Sequence, residues 1–245
     1  MSQVALITGA SYGLGKSISE KLLANDFKVY GVSRTDPQIN DSKFSWIQTD
    51  LYDSKDIQNI YLKIKETKVD VLVNNAGIAF EKLALEYNDQ DFDRVFNLNF
   101  KAPIKLTQAL LPMLCRGLII NVSSISDRYP DPMYGLYAST KAALNIFFET
   151  VATENKNLIV VNLLPSYIDT PLQHKVSDSH KDFDWNMPMK TDDVAEIVPY
   201  LIYHKENLES GSRIIIVSKA MDGHGKNPEK LWIYTIDDKQ MKKVE

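Results

Sequence analysis

Val4-Ala5-Leu6-Ile7-Thr8-Gly9-Ala10-Ser11-Tyr12-Gly13-Leu14-Gly15-Lys16 opens the chain with a short apolar run and a turn holding three glycines, and Ile18, Leu22 and Leu23 follow at helical spacing. An unbroken apolar run of this length reads as a strand buried on both faces. A strand that passes through glycines into a helix is the first half of a βαβ unit. Glycine has no Cβ, so the backbone can turn sharply and approach an anion closely, while the N–H groups at the start of the next helix point at it. The spacing is G-xxx-G-x-G and differs from the more familiar G-x-G-x-x-G dinucleotide fingerprint. Alone, it also serves as a plain strand-to-helix turn, so the rest of the chain must decide.

Further apolar runs at 27–33, 44–49, 69–73, 118–122, 158–163 and 213–217 join the one at 4–8, and they alternate with helical stretches near 14–24, 54–65, 89–113, 134–153 and 191–203. This alternation predicts an α/β fold with a parallel sheet covered on both faces. A chain of 245 residues, 44% of them hydrophobic, can build such a core, and with no repeat or low-complexity linker residues 1–245 read as a single domain. The net charge of −4 and the scattered basic residues give no nucleic-acid footprint. A single cysteine, Cys115, excludes an intramolecular disulfide or a cysteine-based metal cluster, and it reads as a small apolar residue near a helix end. No uncharged apolar run approaches the ~20 residues of a membrane helix. The first strand begins too close to Met1 for a signal peptide, so a soluble, cytoplasmic protein without a membrane partner is expected.

Chemistry concentrates between Asn121 and Ala143. Tyr137 and Lys141 are four apart in a helical stretch, which places an ammonium beside a phenol; a neighbouring cation favours the phenolate and brings tyrosine, pKa about 10, nearer a working range. The plainer reading is a helix-surface pair whose aliphatic stem packs on a ring. Ser124 follows the apolar run 118–122 and so stands at a strand C-terminus, where ligands of open α/β sheets gather.

Ser124 with Tyr137-xxx-Lys141, preceded by Thr8-Gly9-xxx-Gly13-x-Gly15 and Asn74-Asn75-Ala76-Gly77, resembles the short-chain dehydrogenase/reductase family over roughly residues 4–217. The resemblance implies a Rossmann-type, doubly wound sheet of seven parallel strands with helices on both faces, and hydride transfer between a nicotinamide and a carbonyl or alcohol carbon. It implies Ser124, Tyr137, Lys141 and Asn99 as the catalytic set. Asn99 matches the asparagine of the family's Val-Asn-x-x-Gly pattern, and Pro103 just beyond it predicts a kink that exposes a backbone carbonyl for a proton-relay water.

For the cofactor the resemblance implies Gly9, Ser11, Tyr12, Gly13, Leu14 and Gly15 at the pyrophosphate, Asp50 and Leu51 at the adenine, and Asn75, Ala76 and Gly77 at the ribose, with Tyr137 and Lys141 beside them. Pro165, Ser166, Ile168 and Thr170 are implied at the nicotinamide, Ser166 replacing the usual glycine. Ser33 stands where NAD-type members carry a ribose-binding acid, and Arg34 follows it, which favours NADP(H), with Ser33 and Thr35 hydroxyls as helpers and NAD(H) as the alternative. Ile125, Tyr129, Met133, Tyr134 and Tyr167 join Ser124 around a small, apolar or aromatic carbonyl substrate, and residues 172–190 read as a variable substrate loop. An acyl-carrier substrate would need a basic patch, for which Arg128 with Lys101 or Lys105 is the candidate. His174 and His180 lack metal-site spacing and read as surface residues.

The expected function is therefore an NADP(H)-dependent carbonyl reductase working as a homodimer or homotetramer. Alternatives are an NAD(H)-dependent alcohol dehydrogenase, a 3-oxoacyl thioester reductase, and, from another class, a nucleotide-binding regulatory protein without turnover. Residues 218–245 depart from the family as an atypical tail, in which Trp232-Ile233-Tyr234-Thr235 reads as an edge strand.

Overall fold

Alternation of apolar runs with helices produces a nine-stranded main sheet, beside a separate pair of short parallel strands at 168–169 and 189–190, in a computed structural model that describes residues 2–177, 186–217, 231–237 and 239–243. His180, Phe183 and Trp185 of the substrate loop, and residues 218–230 of the tail, lie outside the described residues. The strands are β1 (Val4–Thr8), β2 (Lys28–Ser33), β3 (Phe44–Gln48), β4 (Val71–Asn74), β5 (Leu118–Val122), β6 (Ile159–Pro165), β7 (Ile168–Asp169), β8 (Met189–Lys190), β9 (Ser212–Val217), β10 (Leu231–Thr235) and β11 (Gln240–Lys243). The main sheet runs β11-β10-β9-β6-β5-β4-β1-β2-β3, with all pairs parallel except β10 with β11. The expected seven parallel strands form its body. The expected edge strand at 232–235 instead lies inside the sheet, because β11 turns back and covers it.

Helices α1 (Gly13–Ala24), α2 (Ser54–Gln58), α3 (Ile60–Lys63), α4 (Asp89–Phe96), α5 (Ala102–Leu110), α6 (Gly135–Glu154), α7 (Pro171–Ser177), α8 (Thr191–Ala195) and α9 (Ile197–Tyr203) complete the fold. Alternate strand residues face opposite ways. Ala5, Ile7, Val71, Val73 and Ile120 pack under α1, α8 and α9, while Leu6, Leu72, Ile119 and Val160 pack under α2, α3, α5 and α6. Strands apolar along their whole length are thus explained by a core on each face. No helix among the described residues is long and apolar enough to cross a membrane. Cys115 is exposed in the turn after a 3-10 helix (Leu111–Met113), so it fills no apolar space.

Three stretches expected as single helices are divided. Residues 54–65 break at Asn59 and residues 191–203 at Glu196. Between α4 and α5 the backbone makes a π-helical turn, Asn97–Lys101, in which Ala102 N–H donates to the Asn97 carbonyl. Pro103 explains its place: proline has no N–H for the carbonyl four residues back, which is that of Asn99.

Tyr234 of β10 is 2% exposed and packs against Tyr200 of α9 with ring centroids 5.7 Å apart. The tail strand is therefore docked by a large aromatic side chain. Tyr234→Ala is expected to lower stability to urea by about 3–5 kcal/mol; an unchanged unfolding midpoint would contradict that docking.

Candidate active site

The winding of the sheet reverses between β1 and β4, and the strand C-termini around that point open into a cleft of about 700 Å3. A buried row of amides holds the strand ends in register. Asn74 Nδ2 donates to Asn121 Oδ1 at 2.8 Å, and Asn121 Nδ2 donates to Asn162 Oδ1 at 2.9 Å, across β4, β5 and β6. Asn75 Nδ2 donates to the Thr8 carbonyl at 2.9 Å, and Thr8 Oγ1 accepts from the N–H groups of Asn75 and Ala76 at 2.9 and 3.0 Å. These bonds fasten the Asn-Asn-Ala-Gly turn to the glycine loop.

At the other end of that loop, α1 begins after Tyr12 with no side-chain cap and no acidic residue in its first turn. Its first N–H groups are therefore available to an anion. Gly13 has φ +60°, a conformation that L side chains rarely adopt, whereas a Cβ on Gly15 would stand 2.3 Å from the Gly9 carbonyl oxygen. The first glycine permits the turn; the second permits α1 to pass over it. Arg34 is exposed on the cleft rim and makes no ion pair among the described residues, and no carboxylate replaces Ser33 at the end of β2. Ser33 is not a free helper, because its hydroxyl donates to the Thr35 carbonyl at 2.7 Å and accepts from Trp46 Nε1 at 3.1 Å. Asp50 Oδ1 accepts from Tyr52 N–H at 3.1 Å, with the buried Leu51 between them. The residues present fit a dinucleotide.

Where the cleft deepens, Lys141 is 4% exposed and its Nζ donates to the Val122 carbonyl at 2.7 Å. Nζ lies 5.6 Å from the centroid of the Tyr137 ring. Burial lowers the lysine to about 8. Tyr137 hydrogen-bonds Ser124, yet burial raises its phenol to about 12, with the hydrogen bond pulling it down and the Asp131 charge adding to the rise. The phenol therefore stands above its ordinary 10 where the sequence suggested a depression by the neighbouring ammonium, because burial disfavours the phenolate. Asn99, 1% exposed, accepts from Ile78 N–H at 2.9 Å and donates to the Ile78 carbonyl at 2.8 Å and to Thr140 Oγ1 at 3.2 Å. A Cβ at Gly77 would meet Asn99 Oδ1 at 3.3 Å and Lys141 Nζ at 3.6 Å, so the two side chains flank that glycine.

Most residues singled out in the sequence line this cleft, including Ile125, Tyr134, Pro165, Ser166, Tyr167, Ile168 and Thr170. Gly15 and Asn99 stand behind its wall, and Tyr129 and Met133 do not line it. Met133 has φ +69°, and its carbonyl accepts from Tyr87 Oη at 2.9 Å, so it buttresses the loop. Leu172 and Gln173, at the start of the expected substrate loop, line the cleft, as do Ser126 and Asp131, which were not singled out. Of these only Asp131 carried a sequence signal, its place between Pro130 and Pro132. His174 is exposed and pairs with Asp169 at 2.7 Å. Arg128, considered for a basic patch, pairs with the enclosed Asp127 at 2.9 Å, which also accepts from Arg213 at 3.0 Å and Asn145 at 2.9 Å.

The glycine geometry makes a graded prediction for NADPH titrations and urea unfolding. Gly13→Ala should lose about 1–2 kcal/mol of stability, the cost of a left-handed alanine. Gly15→Ala must displace backbone and should be the more damaging change to both folding and nucleotide affinity; the reverse order would contradict the loop described.

The sequence model of the short chain dehydrogenase family matches residues 3–181. A very-long-chain 3-oxoacyl-CoA reductase of Danio rerio is 30% identical over 187 residues, which are 69% of this chain but 60% of the relative. Among solved structures, the 3-ketoacyl-(acyl-carrier-protein) reductase of Brucella melitensis complexed with NADH has a TM-score of 0.79 at 26% identity, covering 87% of this chain and 96% of that one. The structure of ElxO with NADP bound has a TM-score of 0.78 at 30% identity, covering 88% and 97%. With the glycine loop, the asparagine turn and the serine, tyrosine and lysine brought to one cleft, the chain belongs to the short-chain dehydrogenase family and is an oxidoreductase of that type.

Proposed function

We propose that the protein reduces a carbonyl group on a small substrate with an apolar or aromatic body, using NADP(H). The observation that carries this reading is the meeting of Ser124, Tyr137 and Lys141 at the floor of a cleft whose other end fits a dinucleotide. When bound, the nicotinamide supplies the hydride. The phenol of Tyr137, raised to about 12, is protonated at neutral pH and serves as the acid for the carbonyl oxygen as negative charge develops on it. Ser124 hydrogen-bonds the same oxygen. Lys141, protonated below about pH 8, steadies the tyrosinate left behind and holds the nicotinamide ribose. Asn99 has its amide engaged with Ile78 and Thr140, so its role is to position the Gly77 turn against Lys141 and to offer its main-chain carbonyl to the relay water.

Preference for NADP(H) rests on Arg34, an exposed cation at the end of β2 that follows Ser33 at the position of the ribose-binding acid. The second reading, a 3-oxoacyl thioester reductase, is favoured by the chemistry of the relatives from Danio rerio and Brucella melitensis. Homodimer formation is supported by the apolar side chains Phe92, Ile146 and Phe147 exposed on α4 and α6.

The test follows NADPH and NADH oxidation with aldehydes, diketones, quinones and a 3-oxoacyl thioester. Wild-type protein should turn over with NADPH in preference to NADH. Tyr137→Phe should lose at least about a hundredfold in kcat, within the range for removal of a general acid, with NADPH affinity nearly intact. Arg34→Asp should shift the preference toward NADH. Unchanged turnover in Tyr137→Phe would refute the acid assignment, and unchanged nucleotide preference in Arg34→Asp the phosphate assignment.

A further inference from the structure

Two carboxylates line the cleft, Asp50 at the nucleotide end and Asp131 at the substrate end. Asp131 lies in the loop before α6, fixed between Pro130 and Pro132, and its carbonyl accepts from Tyr134 N–H at 3.2 Å. A short line of hydroxyls joins it to the chemistry. Ser124 Oγ donates to Ser126 Oγ at 3.2 Å, and Ser126 Oγ donates to Asp131 Oδ2 at 3.1 Å. The carboxylate therefore stands two hydrogen bonds from the hydroxyl assigned to the reacting oxygen.

Among the described residues no lysine, arginine or histidine pairs with Asp131, and Arg128, close by in sequence, is engaged by Asp127. The charge of Asp131 is felt by the phenols around it: Tyr137 and Tyr167 are raised by burial with Asp131 adding to the rise, and Tyr134 by burial and by Glu81, with Asp131 contributing less. A partly enclosed carboxylate without a counter-cation favours a ligand that brings a hydrogen-bond donor or a positive charge. It disfavours a second carboxylate. Its distance from Ser124 limits where that donor can sit on a molecule whose carbonyl oxygen meets Ser124 and Tyr137.

Resting on the reductase reading above, we propose that Asp131 selects the substrate: a carbonyl compound carrying an ammonium or hydroxyl group one or two carbons from the carbonyl, and no free carboxylate there. Asp131 receives the donor while Ser124 and Tyr137 engage the carbonyl oxygen. Ser126 holds the other carboxylate oxygen with its hydroxyl and Ser124 Oγ with its backbone N–H, at 3.2 Å, while the Ser124 proton turns from Ser126 to the carbonyl oxygen. The specificity of the site is then set by a loop residue that takes no part in hydride or proton transfer.

Four phenyl ketones that differ only in the group on the α-carbon test this: phenacylamine, α-hydroxyacetophenone, propiophenone and benzoylacetate present an ammonium, a hydroxyl, a methyl and a carboxylate. Their affinities for the protein saturated with NADP+, which cannot reduce them, are read by calorimetry, and their kcat/KM values by NADPH oxidation. Phenacylamine should bind about tenfold more tightly than propiophenone, the scale of one partly exposed ionic contact. α-Hydroxyacetophenone should fall between them, and benzoylacetate should bind most weakly. In Asp131→Asn the ammonium-to-methyl ratio should collapse to within about twofold, with benzoylacetate improved, and Asp131→Glu should restore part of the order. Equal affinities in the wild type, no saturable binding of phenacylamine, or the same order in Asp131→Asn would overturn the proposal. Ketones bound in the expected order but left unreduced by NADPH and NADH would uphold the selection by Asp131 and overturn the reductase reading instead.

Discussion

A lysine ammonium enclosed beneath the floor of a cleft is the constraint around which this protein is arranged. An ammonium carries three donors, and Lys141 gives one to the Val122 carbonyl at the end of β5. Removing such a group from water without full compensation favours its neutral form, and Lys141 is accordingly depressed to about 8. The same desolvation acts on Tyr137 in the opposite sense, since burial disfavours the phenolate. The pair is therefore poised apart in the free protein, an ammonium ready to lose its proton and a phenol reluctant to. A ligand that brings acceptors to Lys141 favours the ammonium and raises it again.

Such a site requires a rigid frame, and the frame is polar. Asn74, Asn121 and Asn162 occupy matched positions on β4, β5 and β6 and link by their side-chain amides, so the strand ends beneath the cleft are tied sideways as well as by the ladder. Asn162 also reaches α6, donating to the Asn145 carbonyl at 3.4 Å, and Asn145 in turn donates to Asp127 behind Ser124. Arg213 of β9 closes this network by pairing with Asp127 and with Glu149 of α6. The serine loop, the tyrosine helix and the sheet are thus connected by buried and half-buried groups whose partners are specific, although Asn74 Oδ1 and Asn145 Oδ1 are left without a hydrogen-bond partner among the described residues.

Much of this was legible in the sequence because its signals are local. Buried parallel strands need apolar residues at every position, so each of the seven expected runs is a strand, and Thr8-Gly9 through Gly15 could be placed at the first crossover. Tyr137 and Lys141 share a helix face by spacing alone. What was not legible depends on contacts between distant segments. Nothing in the order of residues distinguishes Ser126, which lines the cleft, from Tyr129 and Met133, which do not. The hydroxyl of Ser33 was counted toward a phosphate, but Trp46 and the Thr35 carbonyl occupy it across the sheet. The reversal at Tyr137 is of the same kind: adjacency to a lysine is visible in sequence, whereas the depth at which both are buried is a property of the fold. The tail gave a strand signal at 232–235 but no sign that β11 would cover it.

The titration of Lys141 tests the electrostatic account most directly. Following its side-chain nitrogen by NMR across pH in lysine-labelled protein, with a Lys141→Arg variant to assign the signal, separates it from the exposed lysines. The account predicts a midpoint near 8 in the free protein, moving upward when NADPH is bound. A midpoint at the ordinary 10.5 without nucleotide would contradict it, because the ammonium would then be as well solvated in the cleft floor as in water.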